Sequence, residues 1–108
     1  MSDDPRAFLP LRPVEFHVLL SLVQEERHGY GIMQDAEART GSAVIPDVAT
    51  LYRALHRMAE AGLIAPSERT EGRRSYYRIT PLGRRVARAE AARLDALLAA
   101  ARSGGLLS

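Results

Sequence analysis

Asp47-VATLYRALHRMAEAGLIAPSERTEGRRSYYRITPL-Gly83 is the stretch on which the fold turns. Asp47 is a good N-cap, and its carboxylate suits the positive end of a helix dipole. From about Val48 to Ala61 the apolar set Val48, Leu51, Leu55 and Met58 follows helical spacing, which gathers Thr50, Arg53 and Arg57 on the opposite face. Gly62 ends that helix. Leu63-Ile64-Ala65 then begins a strand, Ser75-Tyr76-Tyr77-Arg78-Ile79 is its partner, and Glu71-Gly72-Arg73-Arg74 makes the turn between them. Thr80 can cap a further helix whose first residue, Pro81, has its φ already set. A helix with an open arginine face, followed at once by a basic hairpin, is the layout of a winged helix-turn-helix.

Upstream, Pro13 starts a helix in which Val14, Val18, Leu19, Leu22 and Val23 recur at helical spacing. The charged turn Glu25-Glu26-Arg27 closes it. Gly29 and Gly31 flank Tyr30, and a second periodic run follows through Ile32, Met33 and Ala36 to Thr40, with Gly41 as the terminating glycine. Ser42 to Ile45 is a short β-branched connector and a candidate extra strand. Residues 1–12 contain Pro5 and Pro10 and little periodicity, so they read as an extended arm, with Phe8 and Leu9 available to tuck against a partner.

Downstream, Leu82, Val86, Ala89, Leu94, Leu97, Leu98 and Ala101 form a stripe longer than a small three-helix domain can cover. An uncovered stripe of that size is a liability in a monomer, so Leu82, Val86, Leu94, Leu97 and Leu98 are expected to hold two copies together. The other arrangement folds this helix back on its own domain. The expected fold is mainly α with a small β-hairpin. It divides into an arm (1–12), a winged helix-turn-helix (13–80), a long C-terminal dimerisation helix (81–103) and a flexible tail (104–108).

With 108 residues the chain has room for one modest core. It has no cysteine, which excludes disulfides and thiolate metal sites. No apolar run approaches the ~20 residues of a membrane span, and Asp3 and Asp4 occupy the place of a signal-peptide core, so a soluble cytoplasmic protein is expected. Residues 1–47 carry four arginines against eight acids, and residues 48–108 carry eleven against five. The cationic half is therefore the half that holds the hairpin. All fifteen cations are arginine, whose planar fork suits phosphate and guanine, although genome composition explains a lysine-free chain equally well.

The open face of the helix at Val48–Ala61 is placed to enter a major groove, where Arg53 can fork to a guanine, Thr50 can meet a base or phosphate, and Arg57 extends the set. A plain solvated face is the alternative, disfavoured by the neighbouring hairpin. Tyr52 borders the packed side and fits two roles, a structural ring or a hydroxyl offered to a phosphate. On the hairpin, Arg69, Arg73, Arg74 and Arg78 make a cationic strip that Glu71 weakens locally, with Arg73 and Arg74 at the tip suited to phosphates. Tyr76 and Tyr77 alternate across the strand, one inward and one outward, and pattern alone leaves open which. His56 reads as a surface residue. His17, His28 and His56 lie on separate elements without metal-ligand spacing, no serine sits in a nucleophile motif, and Gly29-Tyr30-Gly31 lacks the third glycine and preceding strand of a dinucleotide fold. No catalytic site, metal or cofactor is expected.

The chain resembles the PadR family of winged-helix transcriptional regulators. Leu11 through Leu20 resembles the family's first helix; His28-Gly29-Tyr30 with Ile32 is similar to its His-Gly-Tyr-x-Ile signature; and Thr50-Leu51-Tyr52-Arg53-Ala54-Leu55 is similar to the Thr-Leu-Tyr-x-x-Leu core of its recognition helix. Glu60-Ala61-Gly62-Leu63-Ile64 and the run from Arg74 to Gly83 continue the match. The resemblance implies a homodimeric regulator of double-stranded DNA with a palindromic operator, a repressor released by a small-molecule effector, in the short form with one dimerisation helix. The alternative function is a winged-helix protein–protein interaction module without operator binding. One position departs from the pattern: where the family carries Gly or Pro before Thr-Leu-Tyr, this chain has Asp47-Val48-Ala49, and an aspartate there opposes phosphate unless it caps the helix or accepts from a cytosine amine. The family's tryptophan-lined drug site is not carried over, since the chain has no tryptophan.

Overall fold

Four helices surround one end of a three-stranded antiparallel sheet in the computed structural model, which describes residues 4–41 and 44–108. The helices are α1 (Pro13–Gln24), α2 (Gly29–Thr40), α3 (Val48–Glu60) and α4 (Pro81–Ser103), and the strands are β1 (Arg27–His28), β2 (Ile64–Glu71) and β3 (Arg74–Ile79) in the sheet order β1-β3-β2. The core is built from Val18, Leu19 and Leu22 of α1, Ile32 and Ala36 of α2, Leu51, Leu55 and Met58 of α3, and Ile64 and Ile79 of the sheet.

Each helix start has a chemical cause. Pro13 follows Arg12, whose backbone N–H donates to the Glu15 carboxylate at 3.1 Å and closes the first turn of α1. Asp47 accepts the Thr50 N–H at 2.7 Å and caps α3. Thr80 accepts the Gly83 N–H at 3.0 Å through Oγ1 and caps α4. The hairpin pairs Ile64 with Ile79 and Pro66 with Tyr77, shifts register between Pro66 and Thr70, and turns at Gly72, whose φ of 64° only glycine adopts freely.

Several expectations need correction. The third strand comes from Arg27–His28, which reads as a charged turn in the sequence, and it pairs Arg27 with Tyr77 and His28 with Tyr76. Ser42 and Ala43 of the connector lie outside the described residues; Val44 and Ile45 form a bend, and Ile45 is buried in the core. Val48 is 56% exposed because the first residue of α3 tilts past the edge of the core. The arm contains a 3-10 turn at Pro5–Phe8, and Phe8, Leu9 and Leu11 pack on the chain's own core instead of a partner.

The apolar stripe of α4 divides into two parts. Val86 is fully buried, so it belongs to the domain itself and not to an interface between copies, while Leu82 is partly buried against the winged-domain core. Beyond Glu90 the helix is largely open among the described residues: Leu97 is 55% and Leu98 45% exposed, with Leu94 half-buried.

Glu90 marks the boundary. It is 2% exposed, accepts the Leu11 N–H at 2.9 Å, and is paired with the Arg93 guanidinium, so it fastens the arm to α4. The Arg93 hydrogen bonds hold its carboxyl below the ordinary 4.5, burial opposes them, and the Leu11 amide adds to the lowering. A carboxyl depressed on folding contributes stability that is complete above the unfolded pKa and is lost as pH falls through the folded one. Glu90→Gln should therefore cost about 2 kcal/mol near neutrality, with the gap to wild type closing below about pH 4.5, as read by denaturant unfolding across a pH series. An equal gap at every pH would assign the loss to packing alone.

Candidate nucleic-acid interface

Capping and burial sort the residues of α3. With Leu51, Ala54, Leu55 and Met58 inward, Arg53 is exposed and donates through Nη2 to Thr50 Oγ1 at 3.3 Å, so the two are presented as a unit. Asp47 spends its carboxylate on the helix start: the Thr50 backbone and side-chain hydrogen bonds, with Arg53 nearby, hold its pKa below the carboxylate norm. An aspartate engaged in this way supports the helix dipole instead of facing outward as a free negative charge.

Arg57 stays beside Thr50 and Arg53 but is drawn toward α1. Its Nε lies 3.6 Å from the Glu15 carboxylate of α1, and that nitrogen is buried without a hydrogen-bond partner. The sequence spacing groups Arg57 with Arg53, but the acid that redirects it lies on another helix. His56 pairs with Glu60 at 2.7 Å on the exposed surface.

The wing carries its charges in two sets. Arg69 stacks on the Tyr76 ring at 4.3 Å, and the Tyr76 hydroxyl donates to Glu71 at 2.7 Å, which holds that carboxyl low against the opposing effect of burial. Tyr76 is thereby buried under the wing's own side chains. Tyr77, half-buried, turns toward α3, and Arg73 and Arg74 are exposed at the turn. Burial raises the Tyr77 hydroxyl pKa, and the neighbouring Tyr52 adds to it.

Tyr52 lies across the first turn of α2. A Cβ at Gly29 would sit 2.6 Å from the Tyr52 hydroxyl, so glycine lets this exposed ring lie flat over the helix start. Between them is a cavity of about 280 Å³ whose walls include His28, Tyr30, Tyr52, Arg73, Arg74 and Tyr77. The structure thus brings Tyr52, Arg73 and Arg74 to one place and puts Thr50 and Arg53 on the adjoining face of α3, with Arg57 beside them at the edge nearest Glu15.

His28 and Tyr30 line the same cavity, and reading by composition passes over them. His28 is the N-cap of α2: its Nδ1 accepts the Gly31 N–H at 2.9 Å. The available signal is a polar residue directly before a glycine-flanked run that turns periodic, which is where a cap belongs. Behind the interface, Asp35 fastens α2 to α1 and β1. Burial opposes its ionisation, but hydrogen bonds from Ser21 and Arg39, both at 2.7 Å, and the nearby Arg27 hold its pKa low. Among the described residues no three His, Asp or Glu side chains are grouped to hold a metal, and no helix is long and apolar enough to cross a membrane.

Residues 18–89 match the family described as transcriptional regulator PadR-like. The chain is 40% identical over 73 residues to the transcriptional regulator Rv3488 of Mycobacterium tuberculosis, covering 66% of this chain and 65% of that one. It spans just under two thirds of the length of the curated relatives it matches, 65% and 64%. Among solved structures it is similar to a transcriptional regulator from Clostridium thermocellum, with TM-score 0.71, 26% identity and 95% of each chain covered. It also shares the fold of a PadR family transcription regulator from Clostridium difficile, with TM-score 0.71, 21% identity, and 83% of this chain and 95% of that one covered.

Proposed function

The chain belongs to the PadR-like family of transcriptional regulators, and from that premise we propose that it is a sequence-specific DNA-binding homodimeric repressor, released from a palindromic operator by an effector. One observation carries the DNA-binding reading. Thr50 and Arg53 stand together on the open face of a capped α3, whose Tyr52 shares a cavity with the wing's Arg73 and Arg74. A major groove accepts a helix presented this way. Arg53, steadied by Thr50, then meets base edges while Tyr52, Arg73 and Arg74 hold the backbone. Arg57, paired with Glu15, is left a supporting part at the rim.

The dimer reading is supported by the uncovered distal part of α4, where Leu94, Leu97 and Leu98 continue the helical stripe past the last residue the domain can cover. A two-fold axis through that part would set two copies of α3 toward successive major grooves of a palindrome. The repressing sense and the effector rest on the family resemblance.

Selection of bound fragments from the source genome supplies the operator, and two substitutions then separate the roles. Arg53→Ala is expected to lose about 1 to 3 kcal/mol of discrimination between operator and other sequences. Arg73→Ala is expected to weaken all duplexes alike and to lower the salt slope by about 1. If titrations across a salt series show neither change, the assigned face is wrong. A protein–protein interaction module would instead bind duplexes weakly and without steep salt dependence.

A further inference from the structure

We propose that the cavity between the start of α2, Tyr52 and the wing is an oxyanion site that seats one phosphate group, with His28 as a donor in addition to its role as a cap. The site rests on the DNA-binding reading in that a backbone phosphate is one source of the ligand; free phosphate is the other, and the chemistry of recognition is the same.

The two nitrogens of the His28 imidazole have different partners. His28 Nδ1 accepts the Gly31 N–H at 2.9 Å, so its lone pair is committed and the ring's proton sits on Nε2. That Nε2 lies 3.1 Å from Arg74 Nη1. A guanidinium nitrogen only donates, so two donors face each other at hydrogen-bond distance and neither satisfies the other. Both are left to donate to a third group. An oxygen carrying negative charge, placed in the cavity that both groups line, would accept from each.

The surroundings favour an anion over a neutral acceptor. Arg73 and Arg74 bring two positive charges to the cavity, and among the described residues no acidic side chain lines it. Glu71, the nearby carboxylate on the wing, is turned to the Tyr76 hydroxyl. Gly29 and Tyr30 on the wall are the first residues of the 12-residue α2, whose dipole presents its positive end there. The Tyr52 and Ser75 hydroxyls complete a set of donors.

The test uses the intact chain, inorganic phosphate, and the selected operator duplex with single backbone phosphates replaced by neutral methylphosphonate. His28→Asn keeps a capping oxygen for α2 and removes the Nε2–H. Nitrogen-15 spectra should show His28 protonated at Nε2 and its signal moving when phosphate or duplex is added. His28→Asn should hold its melting temperature and bind the duplex about tenfold more weakly, the size of one hydrogen bond to a charged group. If the ligand is the backbone, methylphosphonate at one position weakens wild type more than it weakens His28→Asn, by about the tenfold that the lost His28 donor contributes. If it is free phosphate, inorganic phosphate saturates the His28 shift while no methylphosphonate position distinguishes wild type from His28→Asn. Either result supports the site. A proton on Nδ1 overturns the proposal, as does undiminished duplex binding by His28→Asn combined with a His28 signal that phosphate does not move. Arg53→Ala separates the two readings: if it binds DNA like wild type while phosphate still moves His28, the site stands and the DNA face fails.

Discussion

Gly83→Ala is expected to lower the melting temperature by roughly 12 °C or more, since overpacking on this scale costs about 3 kcal/mol and each kcal/mol shifts a small domain by about 4–8 °C. A Cβ at Gly83 would stand 2.1 Å from the Leu63 carbonyl oxygen and 2.9 Å from Ile79 Cγ1. The carbonyl cannot step aside cheaply, because it accepts the Thr80 N–H at 3.1 Å and so holds the root of the hairpin against α4. One of three things must then yield: the hairpin root, the first turn of α4, or the capping bond of Thr80. Circular dichroism melting decides the matter. A midpoint within about 3 °C of wild type would mean that α4 slides freely over Leu63, contrary to the contacts described. Gly41→Ala is the contrasting case: its φ of 87° makes alanine costly, but nothing lies within 4 Å, so a loss of about 1 kcal/mol is expected.

What was legible in the sequence and what was not follow a physical line. Asp47, the period of Leu51, Leu55 and Met58, the strand at Ser75–Ile79 and the Thr80-Pro81 start all lie in local chemistry, and the observed elements follow them. β1 was hidden because two residues have no period of their own; β3 makes them a strand by pairing. Arg57 was read with Arg53 because they share a face, and Glu15, on another helix, settles its direction. Within α4, Val86 and Leu97 repeat the same pattern, and only contact with the domain separates a core residue from an uncovered one. The relation of Tyr76 to Tyr77 was likewise decided by Arg69 and Glu71 above the sheet.

Leu97→Asp combined with Leu98→Asp is expected to convert a dimer into a monomer at micromolar concentration and to reduce operator affinity by about a hundredfold or more, the usual contribution of a second linked binding head. Both side chains are exposed on the single chain, so the fold should survive and the melting curve of the winged domain should change little. Light scattering reports the mass and operator titration the affinity. A doubly substituted chain that still runs as a dimer would place the contact elsewhere, with Leu106 at 80% exposure the next apolar residue to replace. A monomer that still binds as tightly as wild type would separate operator recognition from pairing altogether.

The junction of the hairpin with α4 sets how far a small rotation reaches. Thr80 bonds to both Gly62 and Leu63, and Gly83 rests on Leu63 without room for a methyl group, so hairpin root and helix are welded end to end with no hinge between them. The 23 residues of α4 form a rod of about 35 Å, and a tilt of about 5° at its far end would swing the wing by roughly 3 Å, the length of one hydrogen bond. In such a lever an angle too slight to disturb any packed core is converted into a displacement large enough to part an arginine from a phosphate.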